Sequence, residues 1–164
     1  LDYLHDMEIA QRFASNNRHA IAYTIQCGMR FEIDEYFETI HNYIDTDTMI
    51  LRKGAVSAEL GEKLIVPMNM SYGSLICVGK GNEEWNNSAN HGAGRLTSRK
   101  KAKQDISLEE YQKSMSGIYT TSVSIDTIDE APMAYKDADS IMNLMKDTVE
   151  IINVIKPVYN FKAK

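Results

Sequence analysis

The sequence predicts an α+β fold, a mixed sheet with flanking helices, because helical patterns and short strand patterns are interspersed without a regular strand–helix–strand period. Two observations carry this. Apolar residues recur at steps of three, four and seven near the start of the chain, and short β-branched runs bounded by glycine or proline appear later, at 64–66, 74–78 and 149–155. At 164 residues and a net charge of -5, the chain fits one domain, 1–164, and can bury a core. That charge leaves no global electrostatic footprint for nucleic acid, so any such contact must come from a local patch such as Arg95, Arg99, Lys100, Lys101 and Lys103. Two cysteines, Cys27 and Cys77, make no disulfide framework and suit a reducing, cytoplasmic setting. No secretory signal or membrane-length apolar run is present.

In chain order, residues 2–27 read as one amphipathic helix, with Leu4, Met7, Ala10, Ala14, Ile21 and Ile25 on its apolar face and Gly28 ending it in a left-handed conformation. His5 and His19, fourteen residues apart, show no ligand spacing and read as surface histidines. A shorter helix is predicted from Glu32 to about His41, burying Ile33, Tyr36, Phe37 and Ile40. Thr48 to Lys53 has strand character and Gly54 breaks it; Leu64-Ile65-Val66 is a second strand, ended by Pro67. Ser74 to Val78 reads as a buried strand. Gly79-Lys80-Gly81 is no Walker loop, since five residues separate Gly73 from Gly79 and glycine, not serine or threonine, follows the lysine. Glu83 to Asn90 is a polar loop in which Trp85 is expected to pack rather than to serve as a base-stacking platform.

Further on, Ser98 can cap a short basic helix through Ala102, and Ser107-Leu108-Glu109-Glu110 is a capping box opening a helix to about Met115. Ile118 to Ile125 reads as strand and Asp129-Glu130-Ala131-Pro132 as a turn. Asp137 or Asp139 caps a helix through Lys146 that buries Ile141, Leu144 and Met145. Val149 to Ile155 is a strand that Pro157 ends or edges.

The chemistry concentrates in Asn90-His91-Gly92-Ala93-Gly94-Arg95, with Arg99 eight residues after the histidine. Small residues let the backbone approach a ligand and aim N–H groups at an anion, and arginines can clamp phosphate oxygens. An imidazole beside such a cradle can attack phosphorus or hold a metal. The same pattern also suits a polar turn leading into a helix, with His91 merely solvated. Other polar segments stand along the chain in order: His41-Asn42, Arg52-Lys53-Gly54-Ala55, Gly79-Lys80-Gly81-Asn82, Asp129-Glu130-Ala131-Pro132 with Ala134-Tyr135-Lys136, and Lys156-Pro157 with Lys162.

Together these segments resemble the RtcB family of RNA-splicing ligases, over nearly the whole chain but only the C-terminal part of such a protein. The chain opens at Leu1 inside a helical pattern, and the expectation is a fragment whose missing N-terminal part supplies further metal ligands. The resemblance implies an RtcB-like fold and a GTP- and Mn(II)-dependent ligase that joins RNA 3′-phosphate, or 2′,3′-cyclic phosphate, to 5′-hydroxyl ends through a guanylylated His91. It makes His41 a manganese ligand and puts Asn42 near the nucleotide. The loop Pro67, Met68, Asn69 and Met70, with Ser74 and the Gly92-Ala93-Gly94 turn, would contact the nucleotide. Tyr135 could close over its ring and Lys162 reach guanine. Lys53, Arg95 and Arg99 would meet phosphate or RNA. One imidazole cannot hold a catalytic metal, so the chain alone is expected to be inactive. Met68-Asn69 stands where the family commonly has Gly-Ser. A guanine-nucleotide or RNA-binding module without catalysis, and a divergent nucleic-acid repair ligase, are the competing readings.

Overall fold

The computed structural model describes residues 2–162 and is α+β, with two antiparallel three-stranded sheets, a small parallel ribbon and flanking helices. Strands β1 (His41–Asp45), β2 (Ile50–Ser57) and β5 (Ser88–Asn90) form one sheet in the order β1-β2-β5. Strands β3 (Lys63–Asn69), β4 (Gly73–Gly79) and β7 (Val149–Ile155) form the second in the order β3-β4-β7. Strands β6 (Tyr119–Thr120) and β8 (Tyr159–Asn160) pair in parallel. Alternation on β3 and β4 puts Leu64, Val66, Met68, Leu75 and Cys77 inward. They pack with Val56, Ala58 and Ala89 of the first sheet, so one core joins both sheets. A smaller core forms around Tyr111, Met115 and Ile128.

The first helix, α1 (Asp2–Met29), meets the rest of the molecule along a half-buried stripe that includes Leu4, Met7, Ala14 and Arg18. Ala10, Ile21 and Ile25, expected on that stripe, are exposed. The left-handed residue at its end is Arg30 (φ 58), not Gly28, and Phe31 N–H reaches back to the Gln26 carbonyl in the Schellman pattern. The helix expected over 32–41 is absent; residues 32–40 have no regular element and bend at Asp34, and Ile33 and Tyr36, expected to be buried, are exposed. Side chains of this stretch are tied to separate neighbours, Glu38 to Ser15 and Arg18 at 2.8 Å and Thr39 Oγ1 accepting Ile65 N–H at 2.9 Å. These tertiary anchors override a helical spacing worth only tenths of a kcal/mol per residue. His41 therefore opens a strand instead of closing a helix.

Neither Gly54 nor Pro67 ends its strand. β2 runs through Gly54, which lies at an irregularity where the pairing shifts between His41 and Tyr43. β3 runs through Pro67, tolerated because β3 is an edge strand. Ile118 to Ile125 is strand only at β6; Ile125–Glu130 and Pro132–Ala134 are 3-10 turns. The Ser98 and Ser107 caps form as expected, opening α2 (Arg99–Asp105) and α3 (Leu108–Ser114). Asp137 caps α4 (Ala138–Leu144), which buries Ile141 but leaves Leu144 exposed. Trp85, expected to pack, is 60% exposed on a 3-10 turn at Glu83–Trp85. Among the described residues, no helix is long and apolar enough to cross a membrane.

Candidate functional site

His91 follows directly on β5, whose Asn90 pairs with Ala55 of β2, so the imidazole emerges beside Gly54. Its Nδ1 lies 2.8 Å from the Gly54 carbonyl oxygen. A carbonyl can only accept, so Nδ1 carries the hydrogen, and in the neutral ring this leaves the lone pair on Nε2. Gly54 is in turn fixed: it is left-handed (φ 68), and its N–H donates to Asn42 Oδ1 at 2.9 Å. Asn42 is also left-handed (φ 58), a conformation asparagine tolerates better than most residues. His41, beside it, stacks its ring on His91 with centroids 5.3 Å apart.

The turn after His91 is clamped from two sides. Ala93 N–H donates to the Pro67 carbonyl at 3.1 Å, so this amide is occupied and is not part of an open anion cradle. Lys136 N–H donates to the Gly94 carbonyl at 3.0 Å, and Arg95 bridges Tyr135 in antiparallel fashion. Gly92 sits so close to β3 that a Cβ there would stand 2.9 Å from the Pro67 carbonyl oxygen.

These elements enclose a cavity of about 510 Å³, within the range of small-molecule sites. Of the residues singled out from sequence, Pro67, Met68, Asn69, Met70, Ser74, His91, Gly92, Ala93, Gly94, Arg95, Arg99, Tyr135 and Lys162 all line it. His41, Asn42 and Lys53 do not. Asn69 has a structural occupation as well: its Oδ1 accepts from Ser71 N–H, Ser71 Oγ and Tyr72 N–H, holding the loop between β3 and β4. Met70 is buried and takes the Tyr111 hydroxyl on its sulfur.

Glu130, read from sequence as part of a turn and of a segment that resembles the family but given no site role, proves to be the electrostatic hub of the cavity. Its carboxylate accepts from Tyr135 Oη (2.8 Å), Arg99 Nη1 (2.6 Å) and Arg95 Nη1 (3.4 Å) and pairs with Lys162 Nζ at 3.2 Å. Burial alone would raise its pKa, but the Tyr135 hydroxyl, Lys162 and Arg99 together bring it down to about 2. Burial and the Glu130 carboxylate push Tyr135 up to about 12, so its hydroxyl stays a donor. Arg99 also holds Asp129 at 2.8 Å. Arg95 lies over the Tyr135 ring, 4.9 Å from its centroid, and bonds the Asp129 carbonyl; its buried Nε has no partner among the described residues. The available signal for Glu130 was charge balance: three cations lining one half-buried cavity require a carboxylate among them.

Among the described residues, no three His, Cys, Asp or Glu side chains converge; His41 offers one imidazole.

Comparison with known proteins places the site in context. The family model described as tRNA-splicing ligase RtcB matches residues 1–163. The RNA-splicing ligase RtcB of Escherichia coli K12 is 36% identical over 179 aligned residues, covering 99% of this chain and 44% of that protein. The tRNA-splicing ligase RtcB of Nanoarchaeum equitans is 28% identical, covering 99% of this chain and 42% of its own. The chain thus spans less than half the length of the relatives it matches.

Proposed function

The chain belongs to the tRNA-splicing ligase RtcB family, and from that membership and the cavity we propose that it is the C-terminal segment, folded as a single domain, of a GTP-dependent RNA ligase. The observation that carries the proposal is the contact of His91 Nδ1 with the Gly54 carbonyl at 2.8 Å: it assigns the hydrogen to Nδ1, so that in the neutral ring Nε2 is the nucleophile of a residue lining a nucleotide-sized cavity. Nε2 attacks the α-phosphorus of GTP; an N–P bond forms as the bond to the β-phosphate bridging oxygen breaks, and pyrophosphate leaves. The guanylate passes to an RNA 3′-phosphate, present as such or formed by opening of a 2′,3′-cyclic phosphate with water, and restores the imidazole. Attack of a 5′-hydroxyl on that activated phosphate then expels GMP and seals the strand. Ser74, Tyr135 and Lys162 would face the base, and Arg99 would offset charge at phosphate. Asn42 acts at one remove, by fixing Gly54. Mn(II), as Lewis acid, would use His41 with ligands from outside the described residues; no step above depends on its geometry. Free Cys27 and Cys77 support a cytoplasmic setting.

The test is transfer of label from [α-³²P]GTP to protein in the presence of Mn(II). The full-length protein should label and its His91→Ala variant should not; the 164-residue chain alone should label little. Labelling that survives loss of His91 overturns the mechanism. One observation favours a nucleotide-binding module without catalysis: Arg95 and Arg99 are already engaged by Asp129 and Glu130. Saturable GMP binding by a full-length protein that never labels would establish that reading instead.

A further inference from the structure

A second cavity, of about 690 Å³, adjoins the His91 loop without including His91. Three of its lining residues are direct neighbours of the proposed catalytic parts. Asn90 precedes His91, Lys53 precedes the Gly54 whose carbonyl holds the imidazole, and Lys136 donates its N–H to Gly94. Lys53 and Lys136 are exposed and have no carboxylate partner among the described residues, and Asp147 is the one carboxylate of the described residues that lines the cavity. Trp85 stands on the same cavity, 60% exposed. Its turn is held firmly: Asn82 Oδ1 caps it through Glu84 N–H, and Asn82 Nδ2 bonds the Asp147 carbonyl at 3.0 Å. Buried Arg52 braces the floor through Ser88 and the Asn86 carbonyl, so β2 presents the groove rigidly.

We propose that this groove binds the single-stranded RNA arm next to the reacting end, with a base stacked on Trp85 and backbone phosphates against Lys53 and Lys136. A non-specific single-strand site needs an aromatic face that any base can cover and cations that follow the backbone; both occur here in one groove. The chain carries a net charge of -5, so two unpaired lysines beside an exposed indole are a local exception to its acidic character. An apolar protein partner would cover the indole but leave both ammonium groups without a counter-charge. The assignment rests on the ligase reading, because it takes His91 to mark where the strand end lies.

The test uses full-length protein and two fluorescein-labelled ten-nucleotide RNAs, one ending in a 3′-phosphate and one in a 5′-hydroxyl, with binding followed by anisotropy across a salt series. For the arm that occupies the groove, Trp85→Ala weakens binding about tenfold and Trp85→Phe retains most of it. Lys136→Gln weakens binding and lowers the slope of log K against log salt by about 0.7. GTP labelling by Trp85→Ala stays at the wild-type rate, which separates this site from the guanylylation chemistry and shows that the variant is folded. If it fails to label, Lys136→Gln, an exposed substitution, decides alone. Wild-type affinity for both RNAs in Trp85→Ala and Lys136→Gln overturns the proposal and leaves the patch as a protein-packing surface. Failure of the wild type to label with GTP overturns the ligase reading instead, and failure to bind either RNA overturns both.

Discussion

Substitution of Asn42 measures how firmly two hydrogen bonds in series hold the reactive imidazole. Asn42 Oδ1 accepts Gly54 N–H at 2.9 Å, and the Gly54 carbonyl accepts His91 Nδ1–H at 2.8 Å. Asn42→Gly keeps the left-handed backbone and removes only the first bond, a net loss of about 1 kcal/mol. Asn42→Ala removes the same bond and puts at φ 58 a residue that tolerates the left-handed region less well than asparagine, adding about 1 kcal/mol of strain. If that energy holds the ring in its attacking geometry, then at 1.4 kcal/mol per decade the guanylylation rate falls about fivefold in the glycine variant and about thirtyfold in the alanine variant. The assay is single-turnover transfer of label from GTP in the full-length protein at saturating nucleotide, with KM for GTP measured alongside. A positioning residue lowers the rate and leaves KM within about twofold. A rate recovered simply by adding GTP puts Asn42 on the nucleotide and refutes the reasoning, as does an unchanged rate in Asn42→Ala.

Other outcomes follow from the same geometry. The Glu130 pKa is depressed from 4.5 to about 2, so its contribution is complete above pH 4.5 and is lost as pH falls towards 2. Discounted for the exposed Arg99, that contribution is about 2 kcal/mol; denaturant unfolding of Glu130→Gln should lack this part of the acid-induced loss, and parallel pH profiles would refute it. Gly92→Ala must displace the Pro67 carbonyl or the His91 loop, at about 1–3 kcal/mol; labelling should drop at least fivefold, and a wild-type rate would show the loop to be pliable. Cys77 is fully buried, and burial pushes its thiol up to about 11. Iodoacetamide followed by peptide mass spectrometry should leave it unmodified in native protein and modify it in denaturant; alkylation at native pH 8 would contradict the burial.

Local patterns were legible wherever a single segment decides its own state. The α1 periodicity, the apolar runs of β4 and β7 and the serine caps of α2 and α3 each carry their signal within a few residues. Segments decided by distant partners were not. Residues 32–41 have helical spacing, yet contacts with Ser15, Arg18 and Ile65 hold them out of a helix. Gly54 and Pro67 look like strand breakers, but one occupies a shifted register and the other an edge. Likewise, thirteen of the residues singled out from sequence line the cavity at His91; most of them, Met68, Ser74 and Lys162 among them, were legible only through the family resemblance, since their local patterns suit ordinary loop, strand and terminus positions equally well. Glu130 stood in a segment that resembles the family, yet its role as a hub was not legible, because that role lies in Arg95, Arg99, Tyr135 and Lys162, which are brought to it by the fold.

That convergence also divides the labour between the two arginines, which sequence alone treats as equivalent phosphate clamps. Arg95 is 21% exposed, packed over Tyr135 and bonded to the Asp129 carbonyl; leaving Glu130 would forfeit the stacking and expose a buried site to an uncompensated charge. Arg99 is 67% exposed and makes its contacts through one terminal nitrogen, Nη1, so its fork is half free. Ion pairs of that exposure are worth at most about 1 kcal/mol, while a forked guanidinium–phosphate contact is of the stronger, charge-assisted kind. An arriving phosphate can therefore draw Arg99 away from Asp129 and Glu130 at small cost. Glu130 keeps Arg95, Tyr135 and Lys162, so the wall that would face the base remains ordered while the phosphate end adapts.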